Sequence, residues 1–96
     1  MKVLTLHFRS TKTFEEIMEL ANSRENQYNK IKGLLQIVYL KDERIDQYES
    51  ILFFDNEENL NAYRMSDLYK SIEKVYDTSK PEIRIFDVVK ELKMEC

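Results

Sequence analysis

The single histidine, His7, stands in the run Lys2-Val3-Leu4-Thr5-Leu6-His7-Phe8-Arg9, where apolar residues recur at every second position. An unperturbed imidazole ionises near pH ~6.5, so a histidine among apolar neighbours can act as a base at neutral pH. It can equally be a strand histidine hydrogen-bonded inside or at the rim of an interface, since intermediate burial is common for this residue. Thr5 shares its strand face. Tyrosine hydroxyls are the second group with chemistry in them. Tyr39, Tyr48, Tyr63 and Tyr69 can line a pocket for an aromatic ligand and steady a developing negative charge. They can also be packing residues with the hydroxyl at the surface. Glu58 and Glu73 read first as capping or solvated charges, Asp87 as a carboxylate at a sheet edge or bend, and Met18 and Met65 as core filler. Cys96 has no His or Lys beside it to activate the thiol. No metal site is assigned, and no cofactor is expected.

Any such site depends on the elements that carry it. Lys2 to Arg9 reads as a first strand, with Leu4, Leu6 and Phe8 on one face and Val3, Thr5 and His7 on the other. Thr13 and Glu16 form a capping box that opens a first helix. The apolar positions of that helix run from Phe14 through Ile17, Met18 and Ala21 to Tyr28 and Ile31. The polar run Asn22 to Gln27 interrupts that stripe. Gly33, the only glycine, falls where a left-handed helix end needs one. Leu34 to Leu40 is a second strand, and Lys41 to Arg44 a charged turn. A third strand starts at Ile45 and ends in the unbroken apolar run Ile51-Leu52-Phe53-Phe54. Asp55 with Glu58 then resembles a second capping box. The helix that follows resets its phase at Met65-Ser66, where Ser66 starts a second piece carrying Leu68, Ile72, Val75 and Tyr76. After the loop closed by Pro81, Glu82 to Leu92 alternates as a fourth strand.

Composition narrows the field. A length of 96 residues suits one domain, 1–96. The net charge of −3, with acids and bases interspersed, argues against nucleic acid or an anionic membrane as partner. No apolar run approaches the ~18 residues of a membrane span, and no signal-peptide core is visible near the N-terminus. One cysteine cannot form an internal disulfide, so a reduced, cytoplasmic compartment is expected.

The order strand-helix-strand-strand-helix-strand predicts an α+β domain of ferredoxin-like βαββαβ type, a four-stranded antiparallel sheet with both helices on one face. That sheet carries apolar side chains on both faces, and two helices can cover only one. Leaving each Leu, Ile, Val or Phe in water forfeits roughly 1.5–3 kcal/mol. A second copy of the chain across a two-fold axis is therefore expected to cover the other face, giving a homodimeric α+β barrel.

Three stretches carry a family resemblance. They are Gly33-Leu34-Leu35, Leu52-Phe53-Phe54-Asp55-Asn56-Glu57-Glu58-Asn59-Leu60, and Met65-Ser66-Asp67-Leu68-Tyr69. Together with the element order over nearly the whole chain, they resemble the antibiotic biosynthesis monooxygenase family of dimeric α+β barrels. The resemblance implies a pocket between sheet and helices in each subunit, which relatives use to oxygenate aromatic polyketides or quinols without a metal, or to hold haem. In haem-degrading relatives the working residues are an Asn on strand one, a Trp ending strand three and a His on the second helix piece. Register puts His7, Phe54 and Glu73 at those places, so Phe54 and Glu73 join the pocket candidates. The chain has no Trp and no second His, and a carboxylate is not among the usual haem-iron ligands. Haem degradation is disfavoured. The resemblance implies instead a small monooxygenase needing no cofactor, with His7 as base and a tyrosine holding the oxyanion. The alternative is a non-catalytic homodimer of the same fold, binding a small hydrophobic or aromatic ligand or serving as a scaffold.

Overall fold

A computed structural model describes residues 1–44, 46–78 and 80–94. Four strands, β1 (Lys2–Arg9), β2 (Leu34–Lys41), β3 (Gln47–Phe54) and β4 (Glu82–Asp87), form one antiparallel sheet in the order β2-β3-β1-β4. The helical segments are α1 (Phe14–Ser23), α2 (Glu25–Tyr28), α3 (Glu57–Arg64), α4 (Asp67–Lys70) and α5 (Ile72–Val75). They lie on one face, so the expected ferredoxin-like arrangement is the one observed. Ile45, where the third strand was expected to start, and Cys96 lie outside the described residues; the described strand starts at Gln47.

The pleat of β1 and β3 explains the layering. Leu4, Leu6 and Phe8, with Tyr48, Leu52 and Phe54, point to the helices and join Ile17, Tyr28, Leu60, Tyr63, Ile72 and Tyr76 in one core. Their alternate neighbours face the other way. Val3, Thr5 and His7 of β1 stand opposite Phe53, Ile51 and Glu49 of β3 and opposite Phe86, Arg84 and Glu82 of β4. Among the described residues no helix covers this face. Phe86 is 47% exposed there, and Ile51, Phe53 and Val38 are half-buried.

Local chemistry sets the element ends. Thr13 and Glu16 make the expected reciprocal capping box. The first helix does not run on to Ile31. It breaks at Arg24, whose N–H is shared among carbonyls of the preceding turn, and resumes as the single turn α2. The cap of α3 is Asn56, one residue later than expected, its side chain accepting from the Asn59 N–H at 2.9 Å. Asp55 instead accepts from the Asn59 side-chain amide at 2.8 Å. Ser66 caps α4 as its type and position suggest. Gly33 has φ +80°, and its carbonyl accepts from the Asp55 N–H at 2.9 Å. In the glycine-free turn before β3, Asp46 takes the left-handed conformation, φ 72°, which Asp tolerates better than most residues.

Strand four is shorter than its alternation predicts. It ends at Asp87, after which Val88 donates one bond to the Met1 carbonyl at 3.0 Å. Beyond Val88 no further ladder pair forms among the described residues. Val89, Leu92 and Met94 consequently project from an unpaired segment, Val89 being 94% exposed.

Candidate functional site

The tyrosines converge. Tyr28, Tyr39, Tyr48, Tyr63 and Tyr76 all line the space between sheet and helices, together with Leu6, Phe8, Ile17, Ile37, Ser50 and Leu52. The enclosed void is only about 30 Å³, room for a water or two and no more. It adjoins an open cleft of about 300 Å³ between α1–α2 and β2, lined by residues including Asn22, Glu25, Asn29 and Gln36. Ala21, Tyr28, Ile37 and Tyr39 belong to both, so these four residues stand between cleft and void.

The rings interlock. Tyr63 lies 5.6 Å from Phe54, 6.3 Å from Tyr28 and 5.3 Å, edge-on, from Tyr69. Phe8 lies 5.8 Å from Tyr48 and 5.9 Å from Tyr76. At the helix side of this stack sits Arg24, only 7% exposed. Its guanidinium carbon is 5.6 Å from the Tyr76 ring centre and 5.9 Å from that of Tyr28, within cation–π range. Nη2 donates to the Leu68 carbonyl at 2.8 Å and to Ser71 Oγ at 3.0 Å.

Burial pushes the hydroxyls of Tyr39, Tyr48 and Tyr63 above the ordinary tyrosine value, and that of Tyr76 up to about 12. Nearby Tyr28 adds to the effect at Tyr39, Tyr63 and Tyr76, while Arg24 opposes it. All four are thus neutral at pH 7, able to donate hydrogen bonds and unsuited to act as bases. Two of them, Tyr63 and Tyr76, are 2% and 5% exposed, and among the described residues their hydroxyls have no hydrogen-bond partner. Tyr28 influences Tyr63, yet no hydrogen bond of ordinary geometry joins the two.

The structure therefore brings together three of the pocket residues expected from sequence, Tyr39, Tyr48 and Tyr63, with Phe54 and Tyr69 packed behind Tyr63. It separates His7, Thr5 and Glu73 from them. Because Leu6 and Phe8 point to the helices, His7 and Thr5 must point away, and they border a shallow cleft with Arg44, Glu49, Glu82 and Arg84 on the outer sheet face. His7 Nε2 lies 3.0 Å from Gln47 Oε1. The expectation that His7 reaches the helix-side pocket is corrected by that pleat. Glu73 is exposed on α5. The residues that sequence reasoning missed are Arg24, Tyr28 and Tyr76. Arg24 sits in a polar run that reads as surface, and the other two read as ordinary members of the helix stripe. Among the described residues no group of three metal-binding side chains occurs, and no helix is long and apolar enough to cross a membrane.

Solved structures place this architecture. SnoaB, a cofactor-independent oxygenase from Streptomyces nogalater, superposes with a TM-score of 0.78 over 97% of each chain at 10% identity. An antibiotic biosynthesis monooxygenase matches with a TM-score of 0.69 over 93% of this chain and 98% of its own, at 11% identity. The chain has the antibiotic biosynthesis monooxygenase-like fold. A protein of unknown function from Nitrosomonas europaea shares this fold too, with a TM-score of 0.77 and 12% identity over 99% of this chain and 95% of that one. No protein-family model matches the sequence, and no curated protein does. At these identities the likeness concerns the monooxygenase-like backbone alone, and the arrangement of Arg24 and the tyrosines is this chain's own.

Proposed function

We propose that the chain is a homodimer whose subunits each bind a small aromatic hydroxy compound, of phenol or quinol type, between sheet and helices and oxygenate it without a metal or cofactor. The observation that carries this reading is the tyrosine-walled space with two buried hydroxyls, Tyr63 and Tyr76, that have nothing to bond. Aromatic walls suit an aromatic ring, and unpartnered donors suit an oxygen on which negative charge develops. The fold neighbour from Streptomyces nogalater, named as a cofactor-independent oxygenase, makes oxygenation the natural chemistry. The reaction balances with substrate as sole reductant: the ring CH para to a phenol oxygen, which is CH2 in the keto tautomer, and O2 give a quinone C=O and water. The outer sheet face and the unpaired apolar segment after β4 supply the surface for the second subunit. Val3, Val38, Ile51, Phe53 and Phe86 form its apolar part.

The deciding experiment is oxygen uptake by the purified protein over a panel of quinols and hydroxynaphthalenes. Uptake that falls at least tenfold in Tyr63→Phe or Tyr76→Phe and stays unchanged in His7→Ala supports the reading. Uptake lost in His7→Ala and retained in both tyrosine variants transfers the chemistry to the outer face and overturns it. A second reading, a binding protein without catalysis, has its own observation: the void is only about 30 Å³, space for water and not for the encounter of a ring with O2. Saturable binding of the panel with no oxygen consumed selects that reading.

A further inference from the structure

The void between sheet and helices is smaller than the ring proposed to enter it, so one of its walls has to yield. About 30 Å³ admits a water or two, whereas the cleft beside it offers about 300 Å³. Ala21, Tyr28, Ile37 and Tyr39 stand between the two. Three of these four are fixed. Ala21 carries only a methyl group and is 5% exposed. Ile37 is β-branched, stiff at χ1, and packs on the core. Tyr28 belongs to the core, 6.3 Å from the Tyr63 ring and within reach of the Arg24 guanidinium. Tyr39 differs from them on every count. It is 39% exposed and lies outside that core. Among the described residues its side chain makes no hydrogen bond and no ring contact. Its strand, β2, is a sheet edge paired only with β3, so no further strand confines it. What Tyr39 blocks is equally defined. Its ladder partner is Ser50, 8% exposed, which also lines the void. Directly opposed side chains in an antiparallel pair have Cβ atoms about 4.5–5.5 Å apart, so Tyr39 and Ser50 are adjacent walls. A tyrosine side chain is itself a 4-methylphenol. Turned outward, it leaves a space of its own shape, joined to the void on one side and to the cleft on the other. The cleft is bordered by the polar side chains of Asn22, Glu25, Asn29 and Gln36. An apolar second ring lying there would cover polar groups without pairing them.

We infer that Tyr39 is the gate of this site and sets its size: the ligand's ring displaces the Tyr39 ring, and the class admitted is single-ring phenols rather than fused-ring ones. This deepens the function proposed above and rests on the same pocket. The ligand enters from the cleft, and its ring comes to rest against Ser50 and Tyr28 in the place Tyr39 has left. Exposed side chains change rotamer within nanoseconds, so the gate acts on affinity and not on turnover. A site that is open only ~1–10% of the time binds ~10–100-fold more weakly than the same site held open. The gate residue thus selects twice, by the shape of the space it vacates and by the affinity a ligand must bring to keep it out.

Two probes test it by calorimetry on the whole chain: 4-methylphenol, the free counterpart of the Tyr39 side chain, and 2-naphthol, its two-ring relative. In the wild type 4-methylphenol should bind about tenfold tighter than 2-naphthol. In Tyr39→Ala it should bind about tenfold tighter still, because the closed state is gone, and the preference over 2-naphthol should shrink. Tyr39→Phe should keep both wild-type values, since the ring is what the ligand displaces. If Tyr39→Ala does not fold, Tyr39→Val, a better strand former, carries the same comparison. The movement itself is read in the wild type by nuclear magnetic resonance. Relaxation of the Tyr39 ring protons by a soluble paramagnetic agent should rise when 4-methylphenol saturates the protein. Unchanged relaxation at saturation, or unchanged or weaker binding in the folded small-residue variant, overturns the gate and leaves the pocket standing. Equal affinity of the wild type for both probes overturns the size limit. Binding seen only in the small-residue variant marks a cavity made by the substitution and overturns the gate. Binding of neither probe to any form overturns both this inference and the pocket.

Discussion

Replacing Tyr63 by Phe removes a single oxygen from the centre of the ring cluster and should make the protein more stable. Tyr63 is 2% exposed, and its ring packs on Phe54, Tyr28 and Tyr69 whether or not the hydroxyl is there. The hydroxyl itself has no partner, and a buried polar group without one costs about 1–3 kcal/mol. Against that gain stands the space it vacates, roughly one probe sphere of 10–15 Å³. At ~24 cal/mol per Å³ of cavity this returns only about 0.3 kcal/mol. The balance favours Phe by about 0.7–2.7 kcal/mol, or a Tm rise of at least ~3 °C for a domain of this size. Urea unfolding at one fixed protomer concentration, followed by far-ultraviolet circular dichroism, measures it; fixing the concentration removes any mass-action effect of the proposed dimer on apparent stability. A loss of 1 kcal/mol or more in Tyr63→Phe would refute the reasoning, since it would mean that the hydroxyl is bonded in solution by water in the small void. The same variant should bind an anionic aromatic less tightly, so stability and binding should move in opposite directions.

Alkaline pH offers a second handle. Burial holds the Tyr76 hydroxyl protonated up to about 12, against about 10 in the unfolded chain. Its contribution is intact below pH ~10 and is lost as pH rises toward ~12, by about 2–3 kcal/mol at ~1.4 kcal/mol per unit; denaturant midpoints across that window should fall, and a flat profile would contradict the burial. Gly33→Ala should cost at least ~1 kcal/mol. Its φ of +80° disfavours a side chain, and an added Cβ would meet the Asp55 and Asn59 side chains that hold each other at the start of α3; an unchanged urea midpoint would show that this junction gives way freely. Phe53→Glu, on the helix-free face, should convert a dimer to an 11.6 kDa monomer in sedimentation. A wild-type protein already sedimenting as a well-folded monomer would remove the dimer altogether.

The fold was legible because its signals are local and redundant. Alternation in Lys2–Arg9, the Thr13–Glu16 box, Gly33 and the Ser66 restart each carry their own physics, and each stands where the sequence puts it. Strand four was misjudged because its length is decided by a partner. Alternation continues to Leu92, but the ladder with β1 stops at the Lys2–Asp87 pair. The candidate site was half legible. Tyr39, Tyr48 and Tyr63 could be named from type alone, whereas Arg24 could not, since a charge in Asn22–Gln27 reads as solvated until the helix breaks and turns it inward. His7 drew attention as the sole imidazole, and a one-residue parity along β1 sends it to the opposite surface from the tyrosines.

One edge of the wall over the tyrosines is the single turn α5, which carries Ile72 and follows the single turn α4, the two restarted at Ser66 and Ser71. A helix of one turn has almost no cohesion of its own, because nucleation consumes what its few hydrogen bonds return. Such a wall is held in place by fasteners, Ile72 in the core below and Arg24 gripping the Leu68 carbonyl and Ser71 from the side. Taking away the guanidinium takes away one of those fasteners. Amide exchange across Asp67–Val75 should therefore quicken in Arg24→Gln before that of β1 and β3 does.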